Sequence, residues 1–148
     1  EGFMPDTTSL AQMPGHLIRR LHQHSSAVYQ DRVKQAGFDV TSVQFAALST
    51  LESQPGLDQA SLAKRIAYDR ATIGGVVKRL VHKGYVERLP DEEDRRAFKL
   101  WLTPEGADAL QQLKGIVTVL QGDILGTLTE DEKDTLLRLI AKALDVPS

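Results

Sequence analysis

The 148-residue chain contains no cysteine. That excludes a disulfide framework, thiolate zinc sites, thiol nucleophiles and cysteine-based peroxide sensing, and it fits a reducing compartment. No stretch approaches the roughly 20 apolar residues needed to span a bilayer. The start, from Glu1 to Pro14, has no basic region followed by an apolar one, so the expectation is a soluble, cytoplasmic protein. Neither sign of charge dominates: 18 Lys+Arg stand against 20 Asp+Glu, a net charge of −2. Taken as a whole-chain sum, this argues against a nucleic-acid partner, because phosphate binders usually carry a basic excess. There is no repeat, no low-complexity segment, no nucleophile elbow, no phosphate loop and no metal-binding helix motif. No enzymatic site, cofactor or metal is therefore expected. At this length a single domain, residues 1–148, can stand on its own core.

What is present is clear punctuation. Pro14 opens a helix that stops at Gly37. Thr41 and Gln44 have the spacing of a capping box, and the helix they begin runs to about Ser53 before Pro55-Gly56 turns the chain. Asp58 precedes a short apolar-periodic stretch (Leu62, Ala63, Ile66). Asp69 can cap a longer one (Ile73, Val76, Val77, Leu80) that Gly84 closes. After Gly84 the period drops to 2: Tyr85 to Leu89 and Phe98 to Leu102 alternate across the polar run Pro90 to Arg96, the only β signal in the chain. Pro104 starts a helix whose apolar series Leu110, Leu113, Val117, Leu120, Ile124 steps by 3 and 4. Gly115, Gly122 and Gly126 weaken it, so a bend or break is expected near Gly122 to Gly126. Thr129 and Glu132 form a second capping box before a last helix that ends near Asp145. The fold class is mainly α (α+β): a winged helix-turn-helix with a two-stranded wing and additional helices at both ends.

A helix-turn-helix needs small or apolar residues where two helices cross around a short turn, and Leu62, Ala63, Ile66, Ile73 and Val76, with small Ala67 at the turn, supply them. The second helix then exposes Arg70, Ala71, Thr72, Gly74, Gly75, Lys78 and Arg79. Arg70 and Thr72 lie in the turn that meets base edges, the glycines permit close approach, and Lys78 or Arg79 reaches phosphate. An ordinary helix corner with a solvated basic face fits the helix pattern too. The wing adds weight to the DNA reading, since Arg95 and Arg96 sit at its tip, where one could enter a narrow minor groove, with Asp94 beside them to orient a guanidinium. Acidic runs are usually solvated loops, and the other acids of the tip fit the assignment poorly.

These residues resemble a known family. Leu62-Ala63, the segment Asp69 to Leu80, Lys83-Gly84-Tyr85-Val86-Glu87-Arg88, and above all Asp94-Arg95-Arg96-Ala97 followed by Leu102-Thr103-Pro104-Glu105-Gly106 are similar to the multiple antibiotic resistance regulator (MarR) family of bacterial transcription factors. The similarity covers roughly residues 14 to 145. It implies a homodimer on a pseudo-palindromic operator, usually a repressor, released by a small phenolic or aromatic-acid ligand. It also divides the chain into a DNA-binding lobe, 41–102, and dimerisation helices, 14–37 and 104–145. The apolar stripes of the terminal helices agree with a dimer, although the helices could also cover one another within a monomer.

On the first helix His16, Arg20 and His24 follow at i, i+4 and i+8 beside Leu17, Leu21 and Val28. An apolar wall edged by a guanidinium and two imidazoles suits an aromatic carboxylate. A solvated face or an intersubunit contact fits the same line equally well. The resemblance places the pocket near this helix and the next, adding Gln44 and Phe45. A zinc-responsive regulator would use the same histidines, but i, i+8 imidazoles without cysteine or a local carboxylate pair are poor ligands for one ion. The alternative from another class is a winged-helix protein-interaction module without DNA binding.

The charge sum conceals an asymmetry. Residues 64–99 hold 10 Lys+Arg and 6 Asp+Glu, net +4, whereas the remainder holds 8 and 14, net −6. The small total averages a basic lobe with an acidic remainder.

Overall fold

The computed structural model describes residues 9–66, 70–94 and 96–147, and for Arg70 the backbone alone. Ala67 and Asp69, expected at the turn and cap of the helix-turn-helix, and Arg95 of the wing lie outside the described residues. One 3-10 turn, Leu10–Gln12, precedes α1 (Pro14–Gln35), α2 (Ser42–Ser53), β1 (Leu57–Asp58), α3 (Gln59–Arg65), α4 (Arg70–His82), β2 (Val86–Pro90), β3 (Phe98–Leu102), α5 (Pro104–Ile124) and α6 (Glu130–Ala143).

Local chemistry explains most boundaries. Thr41 accepts from the Gln44 N–H while Gln44 Oε1 accepts from the Thr41 N–H, and Thr129 with Glu132 repeats the arrangement at α6. Each box supplies partners to amides at a helix start that have no intrahelical acceptor. α1 ends where Phe38 N–H reaches the Val33 carbonyl and Gly37 N–H that of Lys34, with Gly37 at φ +87°. Gly84, at φ +79°, closes α4 in the same way through the Leu80 and Val81 carbonyls. α5 passes through Gly115 and Gly122 and ends at Ile124, inside the expected window.

One expectation is corrected. The hairpin is not the whole of the β structure: β1 adds a third antiparallel strand in the order β1-β3-β2, with Leu57 opposite Leu100 and Asp58 opposite Lys99. Two residues give no alternation to read, and their pairing is set by β3, some 40 positions away. Gly56, at φ +82°, carries the chain into this strand under Trp101, whose ring lies 3.0 Å from where a Cβ would stand.

The chain forms two compact units, Tyr29–Val117 and the residues on either side of it. In the first, Leu48 and Leu51 of α2, Leu62 of α3, Ile73 and Leu80 of α4, Leu100 of β3 and Leu110 and Leu113 of α5 are fully buried. Truncating one such side chain to alanine costs about 2–5 kcal/mol. Tyr29 ties α1 to the start of α2, its hydroxyl donating toward the Val40 carbonyl at 2.9 Å and the Thr41 carbonyl at 3.1 Å. Glu52 at the end of α2 accepts from Lys114 and Gln111 of α5. In the second unit α6 buries none of its residues. Leu137, Leu139 and Ile140 on α6, Leu144 just after it, and Ile18 on α1 are all exposed apolar side chains.

Candidate nucleic-acid interface

Asp58 builds the start of the helix-turn-helix twice over. Its backbone closes β1 and its carboxylate caps α3, accepting from the Ser61 N–H at 2.7 Å. α4 then turns Ile73, Val76, Val77 and Leu80 inward, positions i, i+3, i+4 and i+7 of one face. The opposite face leaves Ala71, Thr72, Lys78 and Arg79 exposed, with Gly74 and Gly75 partly so. Arg70 heads this helix. The two glycines are not equivalent. A Cβ on Gly74 would stand 3.4 Å from Nε2 of Gln59, and one on Gly75 would stand 3.4 Å from the Arg79 guanidinium. The Arg79 side chain therefore folds back along its own helix, and the carboxamide of Gln59, the first residue of α3, lies over the exposed backbone of α4. Gln59 was not legible as part of this surface, because nothing in its local sequence marks the contact with a residue 15 positions on.

The wing pairs Val86 with Leu102, Arg88 with Leu100 and Pro90 with Phe98. Its tip explains the acids that sat awkwardly in the sequence. Asp91 N–H meets the Ala97 carbonyl at 2.9 Å, Asp91 Oδ1 accepts from the Glu93 N–H, and Asp94 Oδ1 accepts from the Arg96 N–H, each at 3.0 Å. Two of the four acids thus shape the turn, as Asx residues do elsewhere. Among the described residues the Asp94 carboxylate is bonded to the Arg96 backbone amide rather than to a guanidinium. Its effect on Arg96 runs through the turn. Arg96 is exposed at this tip. Further down, the Arg88 guanidinium stacks 4.9 Å from the centroid of Phe98, its diagonal neighbour across the hairpin. Such a contact is worth about 0.5–1 kcal/mol at an exposed site.

The residues expected to hold a small ligand fall in different units. On α1, within the unit that includes the chain ends, Arg20 is exposed and His16 accepts from Arg19 at 3.3 Å. His24 Nε2 donates to the Ile124 carbonyl at 2.9 Å, at the last turn of α5. A carbonyl only accepts, so the bond fixes a proton on Nε2. In the other unit Gln44 is buried in the capping box of α2 and Phe45 is half-buried.

A capped helix-turn-helix, an exposed basic helix face and an arginine-tipped hairpin define the class of winged-helix DNA-binding proteins. The MarR family model matches residues 40–98. The transcriptional repressor NicR of Pseudomonas putida is 32% identical over 136 residues, covering 92% of this chain and 85% of NicR. The chain belongs to the MarR family. Among solved structures, the PcaV regulator from Streptomyces coelicolor in complex with its natural ligand is 35% identical, with a TM-score of 0.84 over 93% of this chain and 96% of that one. A mutant of MarR from E. coli complexed with operator DNA is 30% identical, with a TM-score of 0.80 over 88% and 92%. Among the described residues no helix is long and apolar enough to cross a membrane.

Proposed function

We propose that the chain is a cytoplasmic, non-enzymatic, homodimeric transcriptional repressor that binds a pseudo-palindromic operator and is released by a small aromatic or phenolic acid. The observation that carries this reading is the conjunction of the exposed α4 face with a wing tip built to present Arg96. Arg70, Ala71, Thr72, Gly74 and Gly75 meet the major groove, Lys78 and Arg79 the backbone, and Arg95 and Arg96 the flanking minor groove. The half-sites lie about one helical turn apart, near 34 Å. Residues 41–102 form the reading lobe. The helices in 14–37 and 104–145 form the dimer, where the bare apolar face of α6 finds its cover. The complexes with operator DNA and with a natural ligand among its relatives support both halves of the proposal.

The effector's acid group is assigned to Arg20 and His16 of α1, beside His24, which Ile124 positions; Gln44 and Phe45 of α2 are separate, secondary candidates for contact with the effector. It acts by binding one spacing of the two lobes better than the other. A mobility-shift titration of a duplex across a salt series tests the DNA reading. Affinity falls steeply with salt if phosphates are neutralised, and the Arg95→Ala/Arg96→Ala double variant weakens binding while remaining dimeric. Unchanged affinity of that variant refutes the wing assignment. The absence of any duplex affinity favours a protein-interaction module.

A further inference from the structure

The outward face of the wing carries an aromatic ring that the chain itself leaves bare. Side chains alternate along a strand, so with Leu100 turned into the core, Lys99 and Trp101 of β3 and Glu87 and Leu89 of β2 stand on the opposite face. Trp101 is 37% exposed and Leu89 44%. The indole is nevertheless held in place, because its ring lies 3.0 Å from where a Cβ on Gly56 would stand, and only glycine leaves it that room. Beside it, within the unit Tyr29–Val117, is a cavity of about 270 Å³ whose apolar lining is Leu89, Pro90 and Trp101 and whose polar lining includes Glu92 and Glu93. Small-molecule pockets run from about 300 to 1,000 Å³, so this one suits a single long side chain.

Two features decide what fits. The first is the bare ring. Phe98, on the other face of the wing, already holds the Arg88 guanidinium at 4.9 Å, whereas no cation lies over Trp101 among the described residues. An indole is the stronger platform of the two for a cation. Lys99, its neighbour on the same face, does not fill that role, since its ammonium stands 4.0 Å from Asp91 Oδ1. The second feature is charge. Asp91 and Asp94 shape the turn, but the carboxylates of Glu92 and Glu93 are exposed and meet no partner among the described residues, and Glu87 stands opposite Trp101 across the hairpin. Around the cavity three carboxylates, Asp91, Glu92 and Glu93, face one ammonium, Lys99, which leaves two negative charges for an occupant to neutralise.

We infer that the outward face of the wing is a docking surface for an arginine-bearing segment of another protein, whose guanidinium stacks on Trp101 and donates to Glu92 and Glu93 while its methylenes lie along Leu89 and Pro90. Arginine fits this surface better than lysine. Its flat fork stacks on an indole and donates to two carboxylates at once, and its stem covers apolar surface. Charge complementarity selects a basic partner and turns nucleic acid away, because a phosphate would meet carboxylates here. The surface is continuous with the tip that presents Arg96, so a docked segment lies beside whatever the tip holds. The dock stands whether or not the tip holds DNA.

Trp101 is the one tryptophan of the chain, so its emission reads the site directly. The test titrates the full chain at low salt with a blocked glycine-serine peptide carrying two adjacent arginines, and with versions in which lysine or citrulline, an uncharged isostere, replaces both. The expected result is a saturable change in emission with the arginine peptide, at least threefold weaker binding of the lysine peptide and no response to the citrulline one. Glu92→Gln/Glu93→Gln, on the exposed tip, should weaken binding of the arginine peptide at least fivefold. Glu130→Gln/Asp131→Asn, an exposed acidic pair on α6, removes the same charge elsewhere and should leave binding unchanged. Trp101→Leu, followed through the anisotropy of a fluorescein-labelled arginine peptide, should also lose at least fivefold. Should that variant fold poorly without its ring against Gly56, Leu89→Ser on the same face is expected to lose at least twofold. An arginine peptide that leaves the emission still, a lysine or citrulline peptide that binds as well, wing variants that bind as the parent does, or an α6 pair that matters as much as the wing pair overturns the dock.

Discussion

Gly106, in the first turn of α5, is where the wing returns to the helical layer, and adding one methyl group there tests the packing of that junction. A Cβ on Gly106 would fall on the Tyr85 carbonyl oxygen and lie 2.8 Å from its carbon and 3.0 Å from the Tyr85 α-carbon. All three are backbone atoms that cannot rotate aside. Carbon contacts relax at about 3.5–4.0 Å, so the start of α5 would have to retreat by something on the order of 1 Å. Retreat breaks what anchors it: the Thr103 N–H to the Tyr85 carbonyl at 3.0 Å and the Thr103 hydroxyl to the Gly84 carbonyl. Two hydrogen bonds at about 1 kcal/mol each, with about 1–3 kcal/mol of overpacking strain, give about 3–5 kcal/mol for Gly106→Ala. That is a large share of the roughly 5–15 kcal/mol that holds a domain folded. Gly115→Ala is the control. The site lies inside α5 with nothing within 4 Å of the new atom, so helix propensity alone acts and the variant gains about 0.5–1 kcal/mol. Urea unfolding followed by far-ultraviolet circular dichroism, at one protein concentration, reads both. A loss below about 1 kcal/mol for Gly106→Ala, or shifts of the same sign for the two variants, refutes the close approach of helix and strand.

Three further outcomes follow from single side chains. Burial pushes the Tyr29 hydroxyl from 10.0 up to about 12. A raised pKa means that the stabilisation is complete below pH 10 and lost as the pH climbs through 12, so the parent loses about 2–3 kcal/mol over that window and Tyr29→Phe does not, as unfolding at fixed pH would show. Arg20→Ala should blunt the rise in melting temperature given by aromatic acids while leaving duplex affinity unchanged; a full response in the variant removes Arg20 from the effector site. Asp94→Asn keeps an oxygen for the Arg96 N–H and removes one negative charge from the wing tip, so duplex affinity should rise severalfold at low salt, whereas Asp94→Ala, which opens the turn, should lower it.

Much of the fold was legible because the signals that carry it are local. Both capping boxes, the glycine stops at Gly37 and Gly84, and the change of period after Gly84 are decided within a few residues, and the structure places them as the sequence implied. What stayed hidden depends on partners far along the chain. β1 is two residues long and exists because β3 offers its edge; the contact of Gln59 with Gly74 and the ties of Glu52 to Gln111 and Lys114 need the packed lobe to become visible. His24 illustrates the same limit on the candidate effector line. Its spacing put it in line with His16 and Arg20 as a candidate ligand contact, but the carbonyl that engages it lies 100 positions away.

The wing acids connect the charge pattern to the proposed function. A loop that must hold Arg96 outward at the end of a narrow ribbon has few hydrophobic contacts with which to fix its shape, so its conformation has to come from hydrogen bonds made within it. Carboxylates are strong acceptors for backbone amides, and Asp91 and Asp94 act in that way, at the cost of negative charge close to where phosphates are expected. That cost is small for exposed groups. At physiological salt their fields decay over about 8 Å, while an arginine inserted in a groove meets the DNA potential at contact distance. Net charge is therefore a poor guide to this class of surface. What matters is which charges are bonded to the protein's own backbone and which are left facing outward.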